Sequence, residues 1–77
     1  MKVTLYSKSD CGLCDAAEEV LRQLQREIRF SIEVVDIEAD ESLYDRYWDR
    51  VPVVAVEGKE VASAPVDIEA LRSVLSS

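Results

Sequence analysis

Two cysteines, Cys11 and Cys14, stand three positions apart in the segment SKSDCGLC, which covers residues 7–14. They are the only cysteines among the 77 residues of the chain. Two thiols at this spacing can alternate between a dithiol and a disulfide, or they can supply two thiolate ligands to a metal ion. The pair therefore indicates thiol-disulfide exchange or metal binding as the chemistry of this protein.

The composition narrows the choice of partner. Nine basic residues against sixteen acidic ones give a net charge of -7, and 48% of the residues are hydrophobic. Phosphate binding needs a clustered basic face, so nucleic acid is not an expected ligand. The acidity favours solubility, with steering toward a basic partner as the alternative. The length has room for a single domain, which we predict over residues 1–77.

The chain shows no membrane or export signal. No run reaches the roughly 18 apolar residues of a membrane span, and residues 1–10 lack the apolar stretch of a signal peptide. We therefore expect a cytoplasmic protein. Permanent disulfides are uncommon in that reducing compartment, and a loop closed by Cys11 and Cys14 is too short to remove much entropy from the unfolded chain. A catalytic or transient disulfide fits these cysteines better than a structural one.

A helix that begins at the cysteines is predicted by the pattern from about Cys11 to Glu27. Apolar residues recur there at intervals of three and four, and Ser9 or Asp10 is the expected N-cap. The helix dipole and the free backbone N–H groups favour a thiolate at this terminus. We therefore predict that Cys11 is the nucleophile and that Cys14, one turn further along, resolves the mixed disulfide.

The rest of the chain predicts an α/β fold in the order β-α-β-α-β-β-α. The other predicted elements are a first strand at Val3–Tyr6, a second over Phe30–Ile37, a short helix capped by Asp40 with Leu43, Tyr44, Tyr47 and Trp48 on one apolar face, a hairpin of Val53–Val56 and Lys59–Ala62, and a last helix starting near Pro65 or Asp67. Strands one and two should be parallel, joined by a right-handed crossover, and the hairpin should add antiparallel. If the third strand pairs with the first, Val51 and Pro52 lie beside Cys11.

These motifs resemble the glutaredoxin-like branch of the thioredoxin superfamily, and in particular small bacterial glutaredoxin-like proteins. The resemblance is carried by LYSK at residues 5–8, CGLC at 11–14, the segment 36–47, RVPVV at 50–54 and EGK at 57–59. It implies the compact thioredoxin-like fold of glutaredoxin type, with a four-stranded mixed sheet flanked by helices. It also implies a cis peptide before Pro52, and thiol-disulfide oxidoreductase activity on protein or glutathione mixed disulfides.

A substrate site next to the dithiol is implied as well. Proline has no N–H to donate, and the Val51 backbone can pair with an extended substrate, so Val51 and Pro52 are expected to guide it. Lys8 is expected to bind a carboxylate of glutathione or of a peptide, with a solvated loop lysine as the alternative. No tightly bound cofactor is expected. The expected reductant is glutathione or a thioredoxin reductase-type protein, and the protein is expected to act as a monomer.

Two departures from the family pattern bear on glutathione. Gly12 and Leu13 stand where glutaredoxins usually carry proline and an aromatic residue. After the hairpin, ASA at residues 62–64 stands where they have a Gly-Gly pair for the glutathione carboxylate. The dithiol is therefore better supported than glutathione as its partner.

Two other classes of function stay open. Two cysteines and no histidine cannot fill a four-coordinate zinc site within one chain, so metal or iron-sulfur binding would need a dimer, carboxylates or bound glutathione. We therefore predict no metal site in the chain itself. The other class is a non-catalytic binding module of thioredoxin fold, in which the cysteines are vestigial and the acidic surface holds a partner.

Overall fold

Four strands form one mixed sheet in the computed structural model, which describes residues 1–76. The elements are β1 (Lys2–Ser7), α1 (Gly12–Leu24), β2 (Ser31–Asp36), a 3-10 turn (Ile37–Ala39), α2 (Glu41–Tyr47), β3 (Val53–Val56), β4 (Lys59–Ser63) and α3 (Ile68–Ser76). The strand order is β2-β1-β3-β4, with β1 parallel to β2 and antiparallel to β3, and with β4 antiparallel to β3. The predicted element order and mixed sheet are thereby confirmed.

The register of the sheet brings three chain segments together at one edge. Tyr6, near the end of β1, is paired with Val35 of β2 and with Val53 of β3. The chain leaves β1 at this edge to reach the cysteines, and it enters β3 at the same edge through Val51 and Pro52. The observed strand pairing therefore brings the cysteine segment and residues 51–52 to the same end of the sheet, as the sequence predicts.

The core lies between the sheet and the helices α1 and α3. The apolar face of α1 points inward, and the charged positions between its apolar residues face solvent. No helix within residues 1–76 combines the length and the apolar composition that crossing a bilayer requires. The buried members of the main cluster are Val3, Leu5, Ala17, Leu21, Leu24, Phe30, Val54, Leu71 and Leu75.

The last helix, α3, begins after a polar cap. Asp67 accepts the Glu69 N–H on its carboxylate at 3.0 Å and the Leu71 N–H on its carbonyl at 3.1 Å. Of the two predicted start signals, Asp67 is therefore adjacent to the helix, whereas Pro65 precedes it and follows a cis peptide bond from Ala64. The side-chain carboxylate satisfies an N–H group that would otherwise lack a partner within the helix.

A salt bridge joins α3 to the segment that follows α1. Arg72 donates two hydrogen bonds to the carboxylate of Glu27, each of 3.0 Å. These bonds lower the pKa of Glu27 and raise that of Arg72. The contact ties α3 to a segment that lies 45 positions earlier in the sequence.

Candidate functional site

Cys11 itself is the N-cap of α1, so the prediction of Ser9 or Asp10 in that role was wrong. Its backbone is extended, with φ -120° and ψ 103°, and its Sγ accepts the Cys14 N–H at 3.2 Å. Asp10 is unsuitable because it adopts a left-handed conformation with φ 55°, and the Ser9 hydroxyl is bonded elsewhere. The sulfur of Cys11 thus takes the position of a capping oxygen, where N–H groups stabilise negative charge.

Cys14 lies behind Cys11 and is shielded from solvent. Only 4% of Cys14 is exposed, whereas Cys11 is half-buried, and both thiols are free. Burial raises the pKa of Cys14 to about 11, and its hydrogen bond with Cys11 acts in the same direction. Cys14 is therefore a neutral thiol at physiological pH. The buried residues that pack with it are Ile37, Tyr47, Val51 and Val53, and Cys11 packs against the same cluster.

Glu38 holds the turn that leads into Cys11. Its Oε1 accepts the Ser9 N–H at 3.0 Å and the Ser9 hydroxyl at 2.6 Å. Its own N–H donates to Asp36 Oδ1 at 2.9 Å. The bond from the Ser9 hydroxyl is the main cause of a lowered pKa at Glu38. Sequence reasoning did not single out Glu38, although the predicted parallel pairing of strands one and two places residues after β2 beside the turn after β1.

Val51 and Pro52 precede β3, and Val51 packs in the same buried cluster as Cys14. The Val51–Pro52 peptide is cis, as the resemblance implied, and both side chains are buried. The Val51 N–H donates to the Tyr47 carbonyl at 3.1 Å. Because this N–H is already bonded, only the Val51 carbonyl could make the backbone contact that the sequence predicts with a substrate.

Lys8 bridges the turn before the cysteines to the end of α2. Its Nζ donates to the carbonyl of Trp48, the C-cap of that helix, at 3.3 Å. The Lys8 charge also contributes to the lowered pKa of Glu38. An ammonium group has three N–H donors, so the bond to the Trp48 carbonyl does not use all of them.

The rim of the site is partly apolar. Leu13, between the cysteines, is 57% exposed, and Trp48 is 51% exposed. The predicted apolar face of the short helix is only partly correct, because Tyr47 is buried and its ring stacks on that of Tyr6 at a centroid distance of 4.8 Å, whereas Trp48 is exposed. The helix ends at Tyr47, which leaves Trp48 at the cap. A Cβ added to Gly12 would meet no atom within 4 Å beyond its chain neighbours and its own helix backbone, so there is space for a side chain at this position.

Metal ligands do not cluster in the part of the chain that the structure describes. Within residues 1–76, no three side chains of His, Cys, Asp or Glu come together in a set that could hold a metal ion.

Comparisons with known proteins agree with this architecture. The profile of a family described as "Glutaredoxin-like domain (DUF836)" matches residues 2–76. An uncharacterized protein of Mycobacterium tuberculosis is 30% identical over 77 residues, which cover 94% of this chain and 79% of that protein.

Solved structures give the same result. A structural-genomics target protein from X. campestris, determined by X-ray crystallography, is 40% identical with a TM-score of 0.79, and the match covers 96% of this chain and 95% of that one. A protein of Nitrosomonas europaea, solved by NMR, is 34% identical with a TM-score of 0.82, covering 96% and 89% of the two chains. A thioredoxin variant from Halobacterium salinarum is 22% identical with a TM-score of 0.70, covering 97% and 71%; this likeness shows the thioredoxin fold.

Proposed function

Because the chain belongs to the glutaredoxin-like (DUF836) family and has the thioredoxin fold, we propose that it is a thiol-disulfide oxidoreductase that reduces disulfides through Cys11 and Cys14. The observation that carries this proposal is the contrast between the two sulfurs. Cys11 Sγ caps a helix and accepts an N–H, while Cys14 is buried directly behind it as a neutral thiol. A nucleophilic sulfur next to a buried, protonated thiol suits thiol-disulfide exchange through a mixed disulfide.

The proposed reaction has two exchange steps. The Cys11 thiolate attacks one sulfur of the substrate disulfide, forms a mixed disulfide and releases the first substrate thiolate, which takes a proton from water. Cys14 then gives its proton to water and attacks the Cys11 sulfur, which closes the Cys11–Cys14 disulfide and releases the second substrate thiolate, and this thiolate takes a proton from water in turn. The substrate gains two electrons and the protein dithiol loses them, so the cycle needs no tightly bound cofactor. A thiol reductant, either glutathione or a thioredoxin reductase-type protein, would return the protein to its dithiol form.

We propose that Val51, Pro52 and Lys8 position the substrate. Val51 packs in the same cluster as Cys14, and its carbonyl can accept an N–H from an extended chain. Pro52 is buried next to Val51 and has no N–H that could compete for the substrate. The Lys8 ammonium has further N–H donors beside the one given to the Trp48 carbonyl, and a substrate carbonyl could accept one of them. The Cys11–Cys14 dithiol is suited to the cytoplasm, because the reducing thiol pool there can regenerate it.

A stoichiometric reaction of the reduced protein tests this proposal. Reductant-free dithiol protein is mixed with bis(2-hydroxyethyl) disulfide, and mass spectrometry follows the loss of two hydrogens as Cys11 and Cys14 join. Wild-type protein should be oxidised faster than dithiothreitol under the same conditions. Cys14→Ser should stop as the mixed disulfide on Cys11, and Cys11→Ser should not react at this rate. A matched control, Ala16→Ser on the exposed side of α1, should behave as wild type. Equal rates in wild type and Cys11→Ser would refute the proposal.

A further inference from the structure

We propose that this dithiol site selects disulfides that carry positive charge beside the sulfur atoms, and that it disfavours the anionic disulfides of glutathione. The inference rests on the proposed exchange reaction and names its class of substrate. It follows from the charges around Cys11 and from the state of the few cations there.

Acidic residues flank Cys11 in the sequence and border the turn that precedes it. Asp10 directly precedes Cys11, and Asp15 lies one turn along α1, with its N–H donating to the Cys11 carbonyl at 3.1 Å. Both side chains are exposed. The charge of Asp15 also contributes to the raised pKa of Cys14, so it acts on the dithiol. On the side of β2, Glu38 and Asp36 border the turn that carries Ser9.

The basic side chains near the site already contact a backbone carbonyl, a carboxylate or an aromatic ring. Lys8 donates to the Trp48 carbonyl, at the negative end of the α2 dipole, and Glu38 adds a carboxylate beside it. Arg50, which precedes Val51, forms an ion pair with Glu60, and its guanidinium carbon lies 5.5 Å from the centre of the Tyr47 ring. Arg46 lies over the same ring, at 5.8 Å. An incoming carboxylate therefore meets mainly negative charge near Cys11, and the chain as a whole carries -7.

Coulomb's law gives the size of the effect of substrate charge on the encounter rate. One pair of exposed unit charges about 8 Å apart in water changes an encounter rate roughly twofold at low ionic strength, and less at physiological salt because the Debye length is then also about 8 Å. Several carboxylates acting together should therefore separate cationic from anionic substrates by about tenfold or more in 10 mM salt. The ratio should fall to about threefold or less at 0.5 M.

Three small disulfides of the same chemistry provide the test. They are cystamine, which carries two ammonium groups, the neutral bis(2-hydroxyethyl) disulfide, and 3,3′-dithiodipropionate, which carries two carboxylates; oxidised glutathione is the fourth substrate. In each case the products are the protein disulfide and two substrate thiols. Each rate constant is divided by that of dithiothreitol with the same disulfide, since the leaving-group thiols differ in intrinsic reactivity.

The expected order of normalised rates is cystamine, then the neutral disulfide, then dithiodipropionate and glutathione disulfide. A double variant, Asp10→Asn with Asp15→Asn, should flatten the series, and asparagine tolerates the left-handed backbone at position 10. The matched control Glu33→Gln with Glu57→Gln removes the same charge near the opposite end of the sheet and should leave the order unchanged, since both residues lie near Lys2.

Each outcome of this experiment leads to one conclusion. A charge order that collapses in 0.5 M salt supports the inference even where the double variant does not fold. Equal normalised rates overturn it. A preference for the anionic disulfides that is lost in Lys8→Gln also overturns it, because Lys8 would then bind substrate carboxylates. Failure of the neutral disulfide to oxidise the protein would instead refute the proposed function, so the two failures are distinguishable.

Discussion

Cys14 should be strongly protected from alkylation in the folded protein. The perturbation is Cys11→Ser, which leaves Cys14 as the single thiol and keeps a hydroxyl at the N-cap of α1. The folded and the urea-unfolded protein are then treated with iodoacetamide at pH 8. Only the thiolate reacts, so the ratio of the two rates measures how far the fold suppresses ionisation of Cys14.

The magnitude follows from the raised pKa. A cysteine of ordinary pKa near 8.5 is about one quarter thiolate at pH 8, while a pKa of about 11 leaves roughly one part in a thousand. Ionisation alone thus predicts a protection of about 200-fold. Loss of the Cys11 hydrogen bond lowers this figure in the variant, whereas burial, the largest cause of the shift, persists. We expect at least about 50-fold protection.

The pH profile distinguishes ionisation from simple shielding. In the folded variant the rate should rise about tenfold per pH unit through pH 10, whereas in the unfolded chain it should level off above about pH 8.5. Cys14→Ser, which reports on half-buried Cys11 alone, should show no such protection when the protein folds. Protection of Cys14 below tenfold, or a folded profile that levels off near pH 8.5, would refute the reasoning.

Three further predictions concern stability and the turn before the dithiol. The pKa of Cys14 is higher in the folded protein than in the unfolded chain, so its contribution to stability is complete below about pH 8 and is lost as the pH rises toward 11. Urea unfolding of the wild type should therefore give a lower free energy of unfolding at pH 10 than at pH 7. This loss should be absent in Cys14→Ala. Leu21→Ala, at a fully buried position, should reduce the free energy of unfolding by about 2–5 kcal/mol, and a loss below about 1 kcal/mol would contradict the described core. Glu38→Ala should release Ser9 and slow exchange at Cys11 several-fold with little change in melting temperature, whereas Glu19→Ala on the exposed face of α1 should leave the exchange rate unchanged.

Local patterns in the sequence predict much of the fold. The inward face of α1 repeats at intervals of three and four, so its apolar residues predict the helix without any long-range information. The alternation of strand, helix and strand then predicts that β1 and β2 are parallel, and the antiparallel pairing of Tyr6 with Val53 brings the two motifs of the site to one edge.

The details of the site depend on contacts between distant segments. Asp10 is left-handed and Cys11 takes the cap because Glu38, 29 positions away from Ser9, holds the turn. Lys8 similarly meets the Trp48 carbonyl across 40 positions. Neither contact has a periodic signature, because each depends on where a single side chain ends after the sheet has formed.

The open space over Gly12 makes this position suitable for a reporter. The residue lies between the two cysteines, and a Cβ built there would meet no atom within 4 Å beyond its chain neighbours and its own helix backbone. A photoreactive amino acid at position 12 would therefore fit next to both cysteines without displacing the core. Brief illumination of living cells could then link the protein to whichever molecule stands over the dithiol, including partners that exchange too quickly to be trapped through sulfur.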